Sequence, residues 1–401
     1  MNARSVRAPR AAARRPALWL GALAALSAGA GARAQDLLVQ CKTLVVAPDT
    51  IVTPGELLVR DGKVAHVGPE IPAEARARAR TITFADATIV PAFVLAHSTL
   101  GRDGDLVERS EAMTPALHAA DAFDPFGDDL KRLARLGIGS CALAPGSGNV
   151  AGGIAALVKP GAAMGTVARE ASYSKLVLAA PARNPERQPT ALMGAIDLLR
   201  QSLRAARADQ KGDPALQALA SVLRGERRAF VHADTRAEIM AVLALAKEFG
   251  IEPVLLGAGD ATDLVEPIAQ ARAAVALWPL QPAMRDEQLR LPQALATRGV
   301  PFCFVGEPGE LRTAAALAVR YGTSRRAALA AITRTPAEFC GAADAVGSLR
   351  RGCDADFTVF RGDPLDLGSR LLAVYVGGVQ LFGDAPKAPP GPPDASRKDS
   401  L

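Results

Sequence analysis

The chain has 401 residues, 49% hydrophobic and 22% charged, so a substantial core is available and wholesale disorder is excluded. Its formal charge of +6 does not mark a nucleic-acid partner. Six of its 47 basic residues lie in the first 34 positions, and beyond them 41 bases face 41 acids with no basic footprint left.

Residues 1–34 carry Arg4, Arg7, Arg10, Arg14, Arg15 and Arg33 and no acid. An apolar run over 17–30 follows the arginine-rich start, and Ala32-Arg33-Ala34 precedes Gln35. A charged start, an apolar run and a small-x-small end are the order of an export signal cleaved near Ala34. The rival is a membrane anchor, but the run is short and broken by Gly21 and Gly29. The mature protein is therefore expected in the periplasm or outside the cell, with no stable membrane span.

Residues 35–90 read as short strands, with a hairpin over 56–67 that turns at Asp61-Gly62. A matching block over 341–383 holds a strand at 356–360 and a second hairpin turning at Gly377-Gly378. Together the two blocks predict a small composite β-sandwich domain. Between them, over 91–340, short β-rich runs alternate with Ala/Leu-rich helical stretches. The runs fall near 88–94, 139–144, 154–158, 176–178, 230–232, 253–256, 274–277 and 302–305, and the helices include 191–208, 237–249 and 310–321. The alternation predicts an α/β fold, a (β/α)8 TIM-type barrel, because no Gly-x-Gly-x-x-Gly turn follows the first run. The Pro-rich stretch 384–401 carries too little apolar surface to fold and reads as a disordered tail. Cys41, Cys141, Cys303, Cys340 and Cys353 lack metal or redox spacing and read as buried small hydrophobes.

Several motifs then occur in one order. They are the hairpin 57–68, Pro145-Gly146-Ser147-Gly148-Asn149-Val150-Ala151-Gly152-Gly153, Thr333-Arg334-Thr335-Pro336-Ala337, and Val346-Gly347-Ser348-Leu349-Arg350-Arg351-Gly352-Cys353-Asp354-Ala355-Asp356 running on to Gly362-Asp363-Pro364-Leu365. In that order they resemble the amidohydrolase superfamily, and within it the exported imidazolonepropionase-like and prolidase-like branch. The resemblance implies hydrolysis of non-peptide or dipeptide-like C–N bonds at the C-terminal mouth of the barrel. It also implies one or two divalent metals that acidify a bound water and polarise the carbonyl. The ligands it implies are a His-x-His pair after strand 1, a Lys or Glu after strand 4, one His after each of strands 5 and 6, and an Asp after strand 8.

Against that pattern the metal site is degenerate. His97 matches the first imidazole and His232 that of strand 5, while Thr99, Ala180 and Gly257 stand where other ligands belong. Glu307 replaces the Asp of strand 8, and Lys175 is read as the start of strand 4. The resemblance leaves His97, His232 and Glu307 to hold a single zinc or similar ion in a His₂Glu set. Alternatively, the two imidazoles serve as hydrogen-bonding residues without metal. Glu307 and Asp260 are candidate general bases for a metal-independent route. Ser147 and Asn149 after strand 2, and His118 in the excursion after strand 1, are candidate substrate contacts. No Gly-x-Ser-x-Gly elbow with ordered Asp and His partners accompanies Ser147. Two functions follow: a hydrolase acting on a small-molecule substrate, or an inactive pseudoenzyme serving as a binding or structural module in the cell envelope. Oligomerisation stays open.

Overall fold

The computed structural model describes residues 36–384. The expected export signal and, apart from Asp384, the expected tail lie outside the described residues. Five strands open the chain: β1 (Leu37–Ala47), β2 (Thr50–Val52), β3 (Gly55–Arg60), β4 (Lys63–Gly68) and β5 (Arg80–Pro91). Ten follow in the middle: β6 (Phe93–Ser98), β7 (Ile138–Leu143), β8 (Ala151–Ile154), β9 (Ala156–Lys159), β10 (Thr166–Arg169), β11 (Tyr173–Val177), β12 (Arg228–Ala233), β13 (Val254–Gly257), β14 (Ala274–Leu277) and β15 (Phe302–Phe304). The chain closes with β16 (Phe357–Arg361), β17 (Arg370–Val376) and β18 (Val379–Gly383).

Strands from both ends share one sheet, in the order β18-β17-β16-β5-β1-β3-β4 with β2 beside β1. The β3–β4 hairpin pairs Arg60 with Lys63 across the Asp61-Gly62 turn. The hydrogen-bonded ladder runs unbroken through strands of both blocks. Val39, Leu57, Ile89, Phe357 and Tyr375 pack in one core, Leu38 and Leu58 in a second with Ile71, and Val45, Val90 and Phe360 join the large core under the helices.

β11 to β15 run parallel, each beside the next. They are buried almost throughout, which is why they read as apolar runs without a polar face. Helices such as Leu192–Ala208, Arg236–Phe249 and Asp286–Thr297 cover them. Alternate residues separate into two cores. Val231, Leu255, Val275 and Phe304 pack with the helices, while Phe230, Leu256, Ala276 and Cys303 pack in the interior.

Two features depart from the expected all-parallel barrel. First, the third run, split into β8 and β9 at Ala155, is antiparallel to both β7 and β11. Residues 144–150 alone join β7 to β8. A parallel return needs a crossover of roughly a dozen residues, so the chain turns straight back. Second, the strands form two sheets, β10-β9-β7-β6 and β15-β14-β13-β12-β11-β8, with no closed sheet. Between β15 and β6 the turn at Ala331 and Ile332 intervenes, accepting N–H bonds from Phe304 (3.2 Å) and Val94 (2.9 Å). On the other side the excursion 99–127 inserts along β8, where Thr114 N–H meets the Ala151 carbonyl at 2.8 Å and Ile154 N–H the Leu117 carbonyl at 2.7 Å. All five cysteines are buried and free. No helix among the described residues is long and apolar enough to cross a membrane.

Candidate functional site

Side chains on a strand alternate between faces, so the last inward positions of neighbouring parallel strands converge at their carboxyl ends. On β12 the inward series Phe230, His232 continues past the strand to Asp234. On β11 Tyr173 and Lys175 share that face, and on β14 the series Ala274, Ala276 ends on Trp278. β6 needs a further device. Leu95 packs toward the helices and Ala96 toward the interior, which would turn His97 away. The register shifts between Leu95 and Ser98, and this irregularity re-aims His97 inward.

His97 is 8% exposed, His232 6%, and Lys175 fully buried. The Tyr173 hydroxyl lies 2.9 Å from His97 Nδ1 and Lys175 Nζ 3.4 Å from its Nε2. Burial, then the charges of Lys175 and His232, hold the His97 ring well below its ordinary pKa, so it is neutral. Burial also pushes the Lys175 ammonium down to about 7, opposed in part by Asp234. A charged Lys175 can only donate, which requires a bare Nε2 and an Nδ1–H donated to Tyr173.

The second imidazole is held from both sides. His232 Nε2 lies 2.9 Å from Asp234 Oδ2, and Nδ1 lies 2.9 Å from Ser147 Oγ. Asp234 Oδ1 accepts from the Trp278 indole N–H at 3.4 Å. Burial raises the Asp234 carboxyl, but its bonds to His232 and Trp278 outweigh this and hold it below the usual carboxylate range. An ionised carboxylate is only an acceptor, so the hydrogen it accepts sits on His232 Nε2, and in the neutral tautomer this leaves, Nδ1 accepts from the Ser147 hydroxyl. Asp234 is fixed in turn by the start of helix Arg236–Phe249. Thr235 caps it, and Glu238 Oε2 accepts the N–H groups of both Asp234 and Thr235 at 3.0 Å. Arg183 holds the other Glu238 oxygen at 2.9 Å.

The residues expected at the site divide. His97, His232 and Ser147 are part of it. Glu307 is not: Gly306, at φ 100°, turns the chain after β15, and Glu307 emerges exposed. Asp260 is also exposed, and the carboxylate that meets an imidazole is Asp234. No hydrogen bond joins Glu307 or Asp260 to either imidazole among the described residues. Asn149 is buried, accepting from Arg187 at 3.3 Å and donating to Thr114 Oγ1 at 3.2 Å; it ties loops together rather than facing a substrate. His118 lines a separate cleft of about 300 Å³ with Glu108, Asp121 and Pro145. On strand 4, Ala180 is exposed beyond the end of β11, and Lys175 is the residue that reaches the site.

A divalent metal does not fit this arrangement. Among the described residues no three His, Cys, Asp or Glu side chains form a metal-holding group, and the donors show why. Both nitrogens of each imidazole are engaged by protein groups. Thr99 is exposed. A Cβ built on Gly257 would collide with Asp234 Oδ1, so a carboxylate fills the space where a strand-6 ligand would begin. The His97–His232–Glu307 zinc set is thus corrected. Tyr173, Asp234 and Trp278 went unread in the sequence, although the period-2 pairs 173/175, 232/234 and 276/278 signal them.

Comparison with known proteins agrees with this geometry at the level of fold. Residues 311–382 match the amidohydrolase family model. Over 397 aligned residues, covering 82% of this chain, it is 24% identical to the amidohydrolase tasK of Hapsidospora irregularis. The chain spans about 40% of the length of that curated relative. The structure superposes on an amidohydrolase from Thermotoga maritima MSB8 with a TM-score of 0.77 and 24% identity, covering 87% of this chain and all of the other. It also resembles a prolidase solved with N-methylphosphonate-L-proline, with a TM-score of 0.54, 13% identity and coverage of 86% and 99%.

Proposed function

We propose that this chain hydrolyses C–N bonds of small non-peptide or dipeptide-like molecules, and does so without a metal. The amidohydrolase fold supports the reaction class. The observation that carries the reading is the polar cluster at the strand ends, in which buried His97, Lys175 and His232 meet the partly exposed Asp234. A fully buried lysine set against an imidazole rather than a carboxylate weakens the fold, and groups with displaced pKa values gather where chemistry uses them. Placement in the exported imidazolonepropionase-like or prolidase-like branch, with its metal site degenerate, belongs to the same proposal. So does a location in the periplasm or outside the cell, which rests on residues 1–34.

The test is hydrolysis by the full chain, treated with chelator, of a panel of N-acyl amino acids, dipeptides and cyclic amides, read as released amine. Turnover is expected to persist in chelator and to fall at least about 100-fold in His232→Ala. Absence of turnover with or without added zinc would leave a non-catalytic binding or structural module. Turnover appearing only with one equivalent of zinc would restore a metal centre.

A further inference from the structure

The contacts of His232 have a consequence beyond metal-free hydrolysis in general. Ser147 Oγ, the imidazole and the Asp234 carboxylate lie in series, with both links at 2.9 Å. The carboxylate takes the Nε2–H and so leaves the Nδ1 lone pair facing a hydroxyl. A nucleophile, a base and a group that orients the base are thereby within hydrogen-bond reach of one another. Trp278 steadies the carboxylate from its other oxygen. The hydroxyl is steadied as well. Cβ atoms on Gly146 or Gly148 would run into Val107, so the excursion packs closely over the loop that presents Ser147. Ser147 itself is only half-buried and can be reached at the strand ends.

We propose that Ser147, His232 and Asp234 form an acyl-transfer relay, with Ser147 as nucleophile toward small amides or esters. Ser147 Oγ attacks the carbonyl carbon as its proton passes to His232 Nδ1. The C–N or C–O bond then breaks, the leaving amine or alcohol takes that proton, and the acyl group remains as an ester on Ser147. Water attacks this ester, passes its proton through Nδ1 to Ser147 Oγ, and releases the carboxylic acid. The relay deepens the hydrolase reading and names its covalent intermediate.

A fluorophosphonate probe tests it on the full chain without requiring turnover. One phosphonyl group per chain is expected on Ser147, located by peptide mass spectrometry. It should be absent in Ser147→Ala and form at least about 100-fold more slowly in His232→Gln, with thermal melts verifying that each variant is folded. Ser147→Cys keeps a nucleophile in place, and its alkylation by iodoacetamide should likewise depend on His232. No adduct on Ser147 in the folded chain, or equal rates with and without His232, would overturn the relay. Amide turnover that survives Ser147→Ala would also overturn it while sparing the hydrolase reading. Labelling of Ser147 without amide turnover would support the relay and remove amides as its substrates.

Discussion

A Cβ at position 257 would meet the Asp234 carboxylate, and Gly257 itself lies at φ 94°. Gly257→Ala therefore combines backbone strain with a collision, and should destabilise the protein by more than about 1 kcal/mol in urea unfolding. Lys175 is the other residue with a measurable signature. Its pKa is lowered to about 7 from the ordinary lysine value of 10.5, so the unfolded chain binds this proton more tightly than the folded one. Stability should then rise with pH between those two values, because the unfolded state carries the extra proton there. Below about 7 both states are protonated and the full cost of the buried charge, on the order of 5 kcal/mol, is present. Lys175→Met should raise the melting temperature, most at acid pH and progressively less toward pH 10. A lower melting temperature at pH 6 would show that the ammonium is well satisfied. The sequence showed a lysine at the head of a strand; that it is buried against His97 depends on which face of β11 turns inward.

At the scale of elements, the turn after β12 carries both chemistry and structure. Glu238 is 2% exposed and binds the backbone of Asp234 and Thr235 as well as Arg183. Burial alone would raise its carboxyl, but these bonds outweigh it and hold it low. Glu238→Ala removes a capping box and leaves two N–H groups without their acceptor. A loss of roughly 1–3 kcal/mol is expected on chemical unfolding, with His232-dependent labelling of Ser147 slowed as Asp234 loosens. The excursion 99–127 has its own fastening in Arg187, which reaches the carbonyls of Glu111 and Gly148 and the Asn149 side chain. Arg187→Ala should speed tryptic cleavage at Arg102 and Arg109 while leaving the remainder of the chain protected. The capping box Thr235-x-x-Glu238 is legible from neighbouring residues, though it went unread in the sequence. The latch is not legible, since nothing local to Arg187 names Glu111 as its partner.

Across the whole molecule, β9 is bound to the large sheet by a buried ion pair. Lys159 Nζ lies 2.6 Å from carboxylate oxygens of both Asp354 and Asp356, and Asp356 accepts the Gly377 N–H at 2.7 Å. Lys159→Met would strand Asp356, which is 4% exposed, while Asp354 keeps Lys63; it should cost about 3–5 kcal/mol by denaturant midpoint. Hairpins, strand runs and the longer helices were readable from the sequence because turn chemistry and hydrophobic period are properties of adjacent residues. His97 and His232 were readable because the resemblance places an imidazole at the end of each of their strands. Lys175, Asp234 and Trp278 carry the same local period, but only the folded strands show that the face they share is the one the histidines occupy. The antiparallel third strand, the re-aimed His97 and the meeting of Ser147 with His232 were decided by the tertiary structure. Each rests on which distant strands pair and in what register, and a one-residue change of register reverses every side chain on a strand.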